Sequence, residues 1–254
     1  MVTQGDVTAA IVWSNENKGT SLSPRNPANF FKDVIRGPGV NRMWPEKLKL
    51  LRWTGVQVTG DGNVLEFVPY DVGQTEAFPS FFGYHEGVAH HRIQSLSMPL
   101  ASKSLGRDDE TYLIQVAVKL AVVETHFALE SPLNVDVLSH LQMGVKLRKT
   151  EIDSLFSGLF TDKLDGKQKL LIITAEAKNK GQRILEEQIV SQVKAAFVVV
   201  PEAEVVAPVA MVARKGGIYF AEFKLVRRSE LASFEGLALE REAFYELVPH
   251  VKGI

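Results

Sequence analysis

Glu176, Ala177 and Lys178 lie near the end of the segment "KLLIITAEAKNKG", after a run of apolar and β-branched residues. Residues two apart on a strand share a face, so the carboxylate and the ammonium project together. The preceding segment "TEIDSLF" carries Asp153, with Glu151 two residues earlier on the same face. A short connection containing Asp165-Gly166 joins the two segments, which predicts an antiparallel pair. Asp153, Glu176 and Lys178 then converge on one point.

That constellation has a chemical use. Two carboxylates bind Mg²⁺ through oxygen and leave positions for water and a phosphate oxygen. The metal acidifies its water and neutralises charge on the phosphate. A neighbouring ammonium orients the attacking water or steadies the transition state, and it offsets repulsion between the acids. The same Glu and Lys can instead form a cross-strand ion pair, which contributes little at a surface. A second triplet, Glu222-Phe223-Lys224, has no Asp-bearing hairpin before it and no helix after it, so it reads as an ordinary exposed strand face. His85, His90 and His91, with Glu86, offer metal-binding atoms but no evident fourth ligand. Phosphate-binding glycine loops and a G-x-S-x-G elbow are absent.

Around these residues the chain alternates helical and extended patterns. "GRDDETYLIQVAVKLAVVETHFALES" predicts one helix: Asp108, Asp109 and Glu110 crowd its first turn, and apolar residues recur every three to four positions. "VDVLSHLQMGVKL", "RKTEIDSLFSGLF" and "KLLIITAEAK" predict three strands. "GQRILEEQIVSQVKAAF" predicts a helix and "FVVVP" a short buried strand, giving the order α-β-β-β-α-β. Two more strands, "VAPVAMVA" and "GIYFAEFKLV", flank the turn "RKGG", and "SELASFEGLALEREAFYELV" reads as one or two helices. Residues 1–105 read as largely irregular, apart from a hairpin through "GDGN".

Composition narrows the classes. The 254 residues are 45% hydrophobic and 23% charged, enough for a sizeable core. The lack of cysteine excludes disulfides, thiolate zinc sites and a Cys nucleophile. The N-terminus lacks a signal-peptide pattern, and no apolar run reaches the roughly 18 residues of a membrane helix, so a cytoplasmic location without a membrane partner is expected. Net charge is −1. Between Lys18 and Arg52, however, eight basic residues face only Asp33 and Glu46, a local net of +6. Arg42, Lys47 and Lys49 belong to this stretch, which reads either as solvated surface or as a patch that meets phosphates.

The pattern over about residues 107–201 resembles the PD-(D/E)xK nuclease superfamily, which includes many type II restriction endonucleases. Asp153 corresponds to the first acid, and Glu176, Ala177 and Lys178 to the E-x-K strand end. No Pro precedes Asp153, and the helix after Lys178 carries Gln188 and Gln192 in "QIVSQ", where related branches place Q-x-x-x-Y. The resemblance implies a restriction-endonuclease-like αβββαβ core, with a mixed sheet flanked by helices. It divides the chain into a possible DNA-contacting region, 1–105, and a catalytic core with a C-terminal hairpin and helices, 106–254. It implies Mg²⁺-dependent hydrolysis of double-stranded DNA, with Mn²⁺ as a substitute and a homodimer as the assembly. Asp153, Glu176 and the Ala177 carbonyl would hold the metal, helped by Glu124 from the preceding helix. Lys178 would position water, and Arg42, Lys47 and Lys49 would contact DNA. A repair or junction-resolving nuclease of the same fold, and a non-catalytic DNA-binding or assembly protein, remain open alternatives.

Overall fold

The computed structural model describes residues 1–254 except 38, 61, 80, 81, 148 and 149; the side chains of 28, 29, 32, 33, 36, 59, 60 and 147 are likewise outside the description. The chain divides into two compact units, Met1–Phe81 and Phe82–Ile254. The boundary therefore falls earlier than the expected 105/106.

The first unit is more regular than its Gly- and Pro-rich sequence predicts. It holds β1 (Val2–Thr3), α1 (Gln4–Lys18), α2 (Pro27–Arg36), α3 (Val40–Met43), α4 (Glu46–Leu50), β2 (Trp53–Gly60) and β3 (Asn63–Pro69). Thr3 and Asp6 form a capping box at the start of α1, and Gly19 ends it in the left-handed conformation. The three strands form an antiparallel sheet in the order β1-β3-β2. The expected hairpin is β2–β3, although Asp61 of its turn lies outside the described residues. Trp44 joins this core, with its indole N–H donating to the Trp53 carbonyl at 2.8 Å and its ring edge-on to Phe78.

The second unit is α/β, with a mixed, largely antiparallel sheet flanked by helices. Its elements are β4 (Ala89–Gln94), α5 (Leu100–Leu105), α6 (Glu110–Lys119), α7 (Val122–Leu129), β5 (Asn134–Leu147), β6 (Thr150–Thr161), β7 (Gln168–Lys178), α8 (Glu186–Val199), β8 (Val205–Arg214), β9 (Gly217–Phe223), β10 (Val226–Arg227), a 3₁₀ helix (Arg228–Ser233) and β11 (Leu239–Val248). The sheet order is β4-β11-β9-β8-β7-β6-β5, with β10 paired to β8. β5, β6 and β7 form an antiparallel meander, and β7 continues through α8 into the parallel strand β8. β8 is buried along nearly its whole length, which is why its sequence runs Val and Ala without alternation.

Helices α6 and α7 pack on one sheet face, against Ile173, Ala175, Val209 and Phe220 among others. Helix α8 covers the other, placing Val193, Ala196 and Phe197 against Ile172 and Val206. Each face thus loses its apolar surface to helices, the main stabilising term for such a sheet.

Three expectations are corrected. The single helix expected over 106–131 is two helices meeting at 59°, with Ala121 at φ 50° in the break. "FVVVP" is not a strand: Phe197–Val199 is the end of α8, its inner face continued by Phe197 at helical spacing before Pro201 ends it. The C-terminal segment is chiefly β11 rather than helix. Its Ala, Leu, Glu and Arg favour helices locally, but Ala243, Tyr245 and Leu247 are buried alternately between β9 and β4. No single helix among the described residues is long and apolar enough to cross a membrane, although the bent pair α6–α7 passes by length and composition.

Candidate active site

The site forms where the β6–β7 ladder stops. Its last residue pair is Ser154 with Ala175, so Asp153 stands next to Glu176 beyond the ladder. There the Ala177 amide donates to Asp153 Oδ2 at 2.9 Å. On its other side β7 stays paired with β8, Glu176 to Ala210 and Lys178 to Val212. The strand end is therefore held rigidly by β8 while its outer edge opens at a carboxylate.

Glu176 and Lys178 are both 0% exposed. The Lys178 ammonium donates to Glu176 Oε1 and lies 3.7 Å from Glu110 Oε1. Glu176 Oε2 accepts from Gln192 Nε2 on α8, which also donates to the Glu151 carbonyl at 3.0 Å. Gln192 Oε1 is buried with no hydrogen-bond partner. Burial, then the Glu176 charge, push the Asp153 carboxyl up to about 7; the Ala177 amide and Lys178 only partly offset them.

The expected helix acid is in the wrong place. Glu124 lies on α7, which packs on β5, two strands from β7. Its Oε2 is buried without a partner, and burial raises its carboxyl above the usual range. The acid beside Lys178 is instead Glu110, the first residue of α6, which packs on β7 and β6. The cluster of acids around the first turn was its only sequence signal, and a helix dipole accounts for that cluster equally well. Gln192, not Gln188, bonds to Glu176.

The second triplet is not an exposed strand face. Glu222 is 1% exposed and accepts from the Ser131 hydroxyl at 2.7 Å, while His126 Nε2 sits 3.1 Å from its other oxygen. His126 Nδ1 lies 2.9 Å from the Tyr245 hydroxyl. Only Lys224 is exposed. The helix α7 covers this face, which strand periodicity alone cannot reveal.

The histidines separate. His85 pairs with Glu242 and with the Glu86 carbonyl, His91 with Glu130, and His90 lies 3.5 Å from Glu246. His90 and His91 alternate along β4. In the first unit Arg42 and Lys47 are exposed, and Lys49 pairs with Glu46 at 3.2 Å. The side chains of Lys32 and Arg36 lie outside the described residues.

Among the described residues no group of three or more His, Cys, Asp or Glu is preassembled for a metal. Asp153 and Glu176 nevertheless form a carboxylate pair crowded enough to shift the Asp153 carboxyl. Mg²⁺ is commonly held by one or two carboxylates plus water and phosphate, so this donor set fits it. Comparison with family models, curated proteins and solved structures found no match.

Proposed function

We propose that the protein is a Mg²⁺-dependent nuclease that hydrolyses DNA phosphodiester bonds on a restriction-endonuclease-like αβββαβ core. The observation that carries this reading is the carboxylate pair Asp153–Glu176 at an opened strand edge, with Lys178 buried against it. A surface ion pair needs no buried second carboxylate, and a purely structural one gains nothing from crowding two.

When bound, Mg²⁺ supplies charge neutralisation at the phosphate and a more acidic water. Asp153, Glu176 and the Ala177 carbonyl would hold it, and Gln192 fixes the orientation of Glu176. Lys178 and Glu176 are sealed from solvent and paired with each other, so a metal held by Glu176 would require the ammonium to leave that carboxylate. Lys178 then orients the water and lies against the phosphate's developing charge. The water oxygen joins phosphorus, one P–O ester bond breaks, and the proton ends on the leaving oxygen. Glu110, with Oε1 3.7 Å from the Lys178 ammonium, is a second anchor that would hold this side chain at the strand end.

A type II restriction endonuclease acting as a homodimer is the favoured form. A separate unit, Met1–Phe81, precedes the catalytic one and carries the exposed Arg42 and Lys47. The test is nicking of supercoiled plasmid with and without Mg²⁺. Cleavage that needs the metal and disappears in Glu176→Ala supports the reading; metal-independent cleavage, or none on any duplex, sinks it.

A further inference from the structure

Arg214 ends β8, and Lys215-Gly216 turns the chain into β9, with Gly216 at φ 89°. A β-turn whose third residue needs positive φ takes Gly there, so the turn is tight and its flanking cations stay at the sheet edge. In the parallel β7–β8 ladder Lys178 pairs with Val212. Arg214 therefore stands two residues further on, on the sheet face shared by Glu176 and Lys178. Strand spacing of about 4.8 Å and a rise of about 3.3 Å per residue separate the Arg214 and Lys178 Cα atoms by about 8 Å.

Arg214 is half-buried, and its Nε is buried with no hydrogen-bond partner. Among the described residues it forms no hydrogen bond or ion pair. Glu242, on the same side of the sheet, is occupied by His85 Nε2 and by the Tyr219 hydroxyl at 2.6 Å. Lys215 is exposed, as is Lys180 just past the end of β7, and neither has an ion-pair partner among the described residues. A cation that serves packing is normally matched by an acid, because an unmatched buried donor is costly. Here Arg214 and Lys215 stand at the strand end beyond Lys178, and among the described residues neither has an ion-pair acid. A guanidinium fork matches phosphate oxygens, and an adjacent ammonium adds a point charge.

We infer that Arg214 and Lys215 form a phosphate-binding lip on the catalytic unit, holding the DNA backbone next to the phosphate presented to Asp153 and Glu176. This rests on the nuclease reading and names the surface on which that site meets its substrate. It places phosphate binding in the second unit, independently of the basic stretch of the first.

The experiment uses the full chain in metal-free buffer and a short labelled DNA duplex, with binding followed by fluorescence anisotropy over a range of salt concentrations. Arg214→Gln/Lys215→Gln should weaken binding at least tenfold and flatten the dependence of log K on log salt by about 1.8, close to 0.9 for each phosphate no longer neutralised. Lys215→Gln alone, at an exposed position, should flatten it by about 0.9 without touching the fold. Lys194→Gln, on the exposed side of α8, should match wild type. Unchanged affinity and slope in both lip variants, with wild type binding and cleaving normally, overturn the lip and leave the nuclease reading standing. A wild-type protein that neither binds nor cleaves duplex DNA overturns both.

Discussion

The Ala177 amide donates to Asp153 Oδ2 at 2.9 Å, one step past the last β6–β7 residue pair. A side chain thus takes the place of a strand carbonyl, and the sheet opens where two acids and a lysine meet. Within α8, Gln192 clamps the same strand end from above by bonding both Glu176 and the Glu151 carbonyl.

Cleavage should depend on this cluster and not on Glu124. Asp153→Ala, Glu176→Ala and Lys178→Ala should each lose at least a hundredfold in rate, about 3 kcal/mol of barrier. Glu110→Gln should cost about tenfold, about 1.4 kcal/mol, because it removes only a charge beside Lys178. Glu124→Gln should stay within twofold. Initial rates of plasmid nicking decide it; a reversed order for Glu110 and Glu124 would show that the helix acid was misplaced.

The metal-free protein should lose stability as pH rises. Asp153 has a native pKa raised to about 7 against an ordinary value of 3.8. Between those values the native state holds a proton that the unfolded chain has released, so stability falls across that window and is lowest above 7. His85, raised by the Glu86 carbonyl and Glu242, acts in the same direction: its contribution is present below 6.5 and disappears as pH climbs through its raised pKa. Asp162 acts oppositely, since the Arg227 fork and Lys169 depress its carboxyl; its contribution is lost only as pH falls below 3.8. Asp153→Asn should therefore raise Tm at pH 8 by several degrees, at about 2–4 °C per kcal/mol, while abolishing cleavage. Mg²⁺ should raise the wild-type Tm and leave the variant unmoved. Thermal melts from pH 5 to 8 check this, and a wild-type Tm that climbs with pH would contradict the assignment.

Glu222→Ala should destabilise the fold by about 3 kcal/mol or more, because His126 and Ser131 lose a buried partner. Lys224→Ala should stay within about 0.5 kcal/mol. Specific activity of the folded fraction should be unchanged in both. Urea unfolding followed by far-UV circular dichroism measures the difference; equal midpoints for the two variants would refute it.

Replacing Arg42, Lys47 and Lys49 together with Gln tests whether the first unit binds DNA. If that surface meets phosphates, the salt slope of duplex binding should flatten by about 0.9 for each phosphate that loses its cation. Lys49 already pairs with Glu46, so the expected change corresponds to Arg42 and Lys47, which have no ion-pair partner among the described residues, rather than to all three. Anisotropy titrations give the slope directly, and an unchanged slope assigns these side chains to solvent.

The local pattern determined more of the site than of the fold around it. Alternation along β6 and β7 places Asp153 and Glu176 on one face from sequence alone, because period two is a property of the strand itself. Helix α8 and the strands β5, β6 and β7 were legible from period alone, whereas the last strand of the expected α-β-β-β-α-β order, placed on "FVVVP", is the end of α8, and the strand that follows the helix is β8. What tertiary structure decided are the relations between elements distant in the chain. Glu110 and Glu124 look alike in the sequence, and only the docking of α6 on β7 brings Glu110 to Lys178. Glu176 and Glu222 head E-x-K triplets of the same form, yet one meets Gln192 and the other His126, because α8 covers one sheet face and α7 the other. β11 becomes a strand only because β9 and β4 pair with both its edges, which outweighs the helix preference of its Ala, Leu, Glu and Arg.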